Sequence, residues 1–106
     1  MEFKKKIIWS PEAKEDLENI LDYLMFRWGI AITSRFLFHT EKMVTQIAIN
    51  PKQYPIFSFK KRIRRCVLTK QNTIYYRVKN ERVEIVRIFD TRQNPNNLRI
   101  LFETKE

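Results

Sequence analysis

Residues 62–95 read RIRRCVLTKQNTIYYRVKNERVEIVRIFDTRQNP, and this stretch decides the fold. Three runs rich in β-branched and aromatic residues, at about 62–68, 73–79 and 83–89, are separated by polar segments in which Asn72 and Asn80 supply turn chemistry. The pattern predicts an antiparallel meander of three strands. Along the last run Val83, Ile85 and Phe89 fall on one side, Val86 and Ile88 on the other. Apolar residues on both sides predict a sheet with neither face fully wetted. Helices cover one face. The other is left to a partner or to the tail at residues 98–102.

Upstream of the meander, residues 51–61 read as a loop whose Tyr54, Phe57 and Phe59 seal the edge between helix and sheet. Before it, Phe36, Met43, Val44 and Ile47, with Leu37 and Ala48 beside them, form the apolar stripe of a helix over 30–49. Asn50-Pro51 ends that helix, because a residue before proline avoids helical geometry. Gly29 separates it from an earlier helix. That helix starts at Ser10-Pro11-Glu12, where Ser10 caps free N–H groups and Pro11 suits the first turn. Its stripe is Ala13, Leu17, Ile20, Leu21, Leu24 and Trp28. So short a link predicts an antiparallel helical hairpin. Residues 4–9 read as a short strand, and the lysines at its beginning suit an edge.

The expectation is therefore an α+β fold. An N-terminal strand and a two-helix antiparallel hairpin pack on one face of a mainly antiparallel, twisted sheet. At 106 residues the chain is expected to form one domain, 1–106.

Charge narrows the function. The chain carries 21 Lys+Arg against 12 Asp+Glu, a net +9 that favours nucleic acid, an acidic protein or an anionic surface as partner. Cys66 stands alone, which excludes an internal disulfide, argues against a zinc cluster and fits a buried thiol in a reducing cytoplasm. Neither a membrane-spanning run nor a signal peptide is read in the sequence. There is no Gly-rich phosphate loop and no metal-ligand spacing, so no cofactor, metal or small-molecule substrate is expected. His39, the one histidine, lies mid-helix without a Ser, Cys or carboxylate motif and reads as a packed or exposed helix residue rather than a catalyst.

What remains is a basic set: Lys60, Lys61, Arg62, Arg64, Arg65, Arg77, Arg87 and Arg92, with Tyr75 and Tyr76 among them and Asp90 at the strand end. Guanidinium groups bind phosphate in bidentate fashion, and tyrosines stack on bases. The same row equally suits the carboxylates of an acidic protein segment. Glu84 and Asp90 are available to pair with some of the arginines, which dilutes the field. The expectation is that these cations share the sheet as a working surface for a macromolecule.

The ordered set WSPEAKEDLENILDYL, Trp28-Gly29, Asn50-Pro51 and IRRCVLTKQNTIYYRVKNERVEIVRIFDTRQNP resembles the RelE/ParE superfamily of bacterial toxins from type II toxin–antitoxin modules, over nearly the whole length. The resemblance implies a toxin held inactive by a cognate antitoxin whose extended segment wraps its sheet and helices. It also implies one of two targets. The RelE-like branch cuts messenger RNA on the ribosome, using basic residues and often a terminal tyrosine or histidine. The ParE-like branch, of plasmid-stabilisation type, inhibits DNA gyrase without nuclease chemistry. Against the RelE-like pattern this chain has Thr73 where a strand arginine is expected just before the aromatic pair. Residues 90–106 contain neither Tyr nor His, although Arg64 and Arg92 suit basic positions of a nuclease site. RNA cleavage needs a base and an acid besides charge stabilisation, and arginine readily supplies only the last. The ParE-like branch is the expectation, with a ribosome-dependent ribonuclease or a plain basic nucleic-acid-binding module as alternatives.

Overall fold

The computed structural model describes residues 4–90. In chain order the elements are β1 (Lys6–Trp9), α1 (Pro11–Trp28), α2 (Ile30–Ile49), a single 3-10 turn (Pro51–Gln53), β2 (Ile56–Ser58), β3 (Ile63–Val67), β4 (Asn72–Lys79) and β5 (Arg82–Asp90). The five strands form one sheet in the order β1-β5-β4-β3-β2. Strands β2 to β5 pair antiparallel, and β1 joins the β5 edge parallel, with Ile7 opposite Val83. The lysine-bearing first strand is thus an edge, as its composition predicts.

The α1 start follows its sequence signals. Ser10 Oγ accepts from the Ala13 N–H at 2.9 Å and donates to the Val86 carbonyl at 2.8 Å, while the Ser10 N–H bonds the Ile85 carbonyl. One buried serine therefore caps the helix and fastens it to β5. Gly29 separates the helices with φ 88° and ψ −176°, a region essentially reserved for glycine. Its N–H bonds the carbonyls of Leu24 and Met25, and α2 folds back against α1.

The core lies between the hairpin and one sheet face. Ala13, Ile20, Phe36, Val44 and Ile47 meet Cys66, Ile74, Tyr76, Val83, Ile85 and Ile88 there. Two features depart from the sequence reading. The segment read as loop contains β2, whose three residues are too few for a periodic signal and follow Pro55. Strand β5 carries a bulge: Tyr75 faces Arg87 and Tyr76 faces Ile85, leaving Val86 as the extra residue. The alternation resets there. Ile88, expected opposite Val83 and Ile85, joins them under the helices. Phe89 moves to the other face, with Val86 packed against it.

That second face holds a smaller buried cluster of Ile63, Tyr75 and Phe89, with Phe57 and Val86 packed on it. A sheet apolar on both faces is therefore observed. The expectation about residues 98–102 falls outside the described residues. Trp28, expected in the core stripe, is instead 58% exposed at the hairpin tip.

Candidate functional site

The basic residues do not form a single surface. Adjacent residues of a strand point to opposite faces, so Arg64 and Arg65 part company. Arg64 turns toward the hairpin side, where its Nη1 donates to the carbonyls of Tyr54 (2.7 Å) and Lys52 (3.2 Å). Arg65 lies on the opposite face, 5.9 Å from the centre of the Phe57 ring. Arg77 donates through Nε to Glu84 Oε1 at 2.8 Å, the cross-strand partner of its register. Arg87 makes a two-point contact with Asp16 on α1, Nε to Oδ2 at 2.7 Å and Nη2 to Oδ1 at 2.9 Å. The Asp16 carboxylate also accepts the Ile88 N–H at 3.0 Å, just beyond the bulge where β5 has no β1 partner. This pairing holds the Arg87 pKa above its ordinary value, mainly through the hydrogen bond to Asp16.

The expectation of one cationic working face is thus corrected. Two of its arginines are in ion pairs, one supports a turn, and one sits on the far face. Asp90 ends β5 opposite Asn72. Arg92 lies outside the described residues. The tyrosines expected to stack on bases are also corrected, because both are buried. Tyr76 donates its hydroxyl to the Pro51 carbonyl and meets Tyr54 edge-on at 6.4 Å. Tyr75 packs against Phe57 at 4.9 Å. Burial pushes the pKa of both above the usual phenol value.

Two surface features emerge instead. The first is a cavity of about 370 Å³ at the β2–β3 end of the sheet, lined by Lys52, Ile56, Ser58, Phe59, Arg62, Arg64 and Val78. Its rim is the tight turn between β2 and β3. There Lys60 is exposed, the Lys61 N–H donates to Ser58 Oγ, and Arg62 adopts a left-handed φ of 60°. Phe59, expected to seal an edge, is 83% exposed. Lys52 was missed by the sequence reading. Its only signal is position, one residue after the proline that ends α2.

The second feature is apolar. At the hairpin tip Phe26 is 90% exposed and Ile30 68%, and Arg27 lies 5.6 Å from the centre of the Trp28 ring. Beside it runs an open groove of about 390 Å³ between Leu24, Trp28, Ile32 and Phe36 on the helices and Thr69, Gln71 and Asn72 on the sheet. Asn72 is buried at its floor; its Oδ1 accepts from Thr69 Oγ1, while Nδ2 has no partner among the described residues. His39 is a packed helix residue, one of the two forms expected: its Nε2 lies 2.9 Å from the Leu68 carbonyl, which can only accept, so that nitrogen carries the proton. Among the described residues there is no group of three or more His, Cys, Asp or Glu able to hold a metal ion, and no helix is long and apolar enough to cross a membrane.

Two helices laid on one face of a five-stranded mixed sheet define a RelE/ParE-like toxin fold. Among solved structures the chain is similar to the chromosomal ParDE toxin–antitoxin system from P. aeruginosa, at TM-score 0.71 and 20% identity over 82% of this chain and 96% of that one. It is also similar to a YoeB/ParE toxin from Agrobacterium tumefaciens (TM-score 0.61, 13% identity, 80% and 96% covered). The E. coli DinJ–YafQ toxin–antitoxin complex follows (TM-score 0.52, 14% identity, 83% and 93% covered). No curated protein matches the chain. The family model of the ParE toxin of type II toxin–antitoxin systems, parDE, matches residues 7–95, and the chain belongs to that family.

Proposed function

We propose that this toxin acts in the cytoplasm as a ParE-like inhibitor of DNA gyrase, by binding rather than by cleaving RNA, and that a cognate antitoxin neutralises it. The observation that carries the target is the character of the sheet face opposite the helices. Thr73 stands where the RelE-like pattern has a strand arginine. The same face gathers Ile63, Tyr75 and Phe89 into an apolar cluster. Tyr75 there is poorly disposed to serve as a base, because burial holds its hydroxyl protonated. Such a face suits contact with a protein better than in-line attack on a phosphodiester.

The antitoxin reading rests on the hairpin tip. Phe26, Trp28 and Ile30 form an exposed apolar patch beside a groove whose floor holds an amide nitrogen, Asn72 Nδ2, with no partner among the described residues. An antitoxin segment that buries these rings and offers a carbonyl to Asn72 satisfies both features.

The decisive experiment adds the antitoxin-free protein to purified gyrase and to a translation extract. Loss of supercoiling with intact transcripts supports the reading. Cleaved transcripts with untouched gyrase replace it with the ribonuclease alternative.

A further inference from the structure

Between Glu41 and Glu81 the sequence contains no Asp or Glu but ten Lys and Arg. The fold gathers five acids over β5, at an end of the sheet that also carries cations, and leaves strands β2 to β4 without an acid. Glu12, Glu15, Asp16, Glu18 and Asp22 ride on α1, which packs over β5. The acid-free segment builds β2, β3 and β4, away from the β1 edge. At its outer end lies the cavity rimmed by Lys52, Arg62 and Arg64. Among the described residues no carboxylate lines it.

Three features separate this cavity from an ordinary solvated basic patch. Arg64 is held in place by two backbone carbonyls, which fixes its guanidinium at the cavity wall with other N–H donors to spare. Arg62 occupies a left-handed backbone position, an unfavourable choice for an arginine in a turn that glycine or asparagine would fill without strain. Phe59 stands beside the cations almost fully exposed, although a side chain of its size normally gains from burial. Cations that bind phosphate, next to an uncovered aromatic face on which a base can stack, are the two components of single-strand nucleic-acid recognition.

We infer that the Lys52–Arg62–Arg64 cavity binds the phosphate backbone of a single-stranded nucleic acid, each cation meeting a phosphate, with an adjoining base laid on Phe59. This inference does not depend on gyrase being the target. An acidic peptide is the weaker candidate, because carboxylates make no use of the exposed ring. A duplex is weaker too, because its bases are already stacked on one another.

The test uses the full-length protein and a fluorescein-labelled 12-nucleotide oligothymidylate, read by fluorescence anisotropy across a salt series. Three cations on one strand predict a slope of about −2 in log K against log salt. Lys52→Ala and Arg62→Gly each reduce its magnitude by about 0.7. The glycine suits the left-handed position, so this variant keeps its fold. Phe59→Ala weakens binding roughly tenfold and leaves the slope unchanged. Lys14→Ala, on α1, changes neither quantity. A duplex of the same length shows no dependence on Phe59. Absence of binding at 50 mM salt overturns the inference. So does binding that is indifferent to Lys52, Arg62 and Phe59. Displacement of the oligonucleotide by poly-glutamate, with the same dependence on Phe59, overturns it in favour of an acidic protein segment.

Discussion

Removing the Asp16 carboxylate tests the junction between α1 and β5. Asp16 accepts three hydrogen bonds, two from Arg87 and one from the Ile88 N–H. Asp16→Ala leaves an arginine whose side chain is only 25% exposed without a counter-charge, and one backbone N–H without a partner. Breaking a fully buried pair from one side costs about 3–5 kcal/mol, and an orphaned N–H contributes about 1–3 kcal/mol of such a loss. Water reaching the exposed quarter of Arg87 returns part of it, so the lower end, about 3 kcal/mol, is expected. At roughly 4 °C per kcal/mol for a chain of this size, the melting temperature falls by about 12 °C. Asp16→Asn keeps an acceptor but no charge, and loses about half as much. Adding Arg87→Met to Asp16→Ala recovers stability, because the stranded charge disappears. Thermal melts followed by circular dichroism read all three. An Asp16→Ala protein melting within 3 °C of the parent refutes the reasoning.

Other consequences are simpler to state. Gly29→Ala introduces a Cβ that meets no atom within 4 Å, so the whole loss is backbone strain, about 1–3 kcal/mol, read from the urea midpoint. Tyr76→Phe strands the Pro51 carbonyl and lowers stability by about 1–2 kcal/mol in the same assay. Burial pushes the Cys66 thiol from 9.0 up to about 11, so its unfolded form loses the proton first. Stability tied to that proton is complete below pH 9 and is lost as pH rises toward 11; Cys66→Ala flattens the fall in a pH series of urea melts. The same thiol stays unreactive toward a disulfide reagent at pH 8 until the protein unfolds.

The sequence revealed most of the architecture because its signals are local. Ser10-Pro11, Gly29 and Asn50-Pro51 mark helix ends by their own backbone preferences, and three strands showed in β-branched runs. What it concealed was set by distance. Arg87 meets a carboxylate 71 positions away, which no strand pattern encodes. The Val86 bulge sits where Ser10 fastens the helix, and that one extra residue exchanged the faces expected for Ile88 and Phe89. Of the candidate site, Arg62 and Arg64 were named within the basic set. Lys52 joins them only because the chain after α2 doubles back along β3, and Phe59 is exposed only because it falls in the turn.

The parallel seat of β1 beside β5 bears on how the toxin comes into being. Ser10 waits for Val86, 76 positions downstream. A ribosome making this protein therefore releases both helices before the strand that anchors them exists. Until β5 emerges, the hairpin's apolar stripe has only part of its platform. The finished fold, and any harm it does, arrives only once β5 has been made.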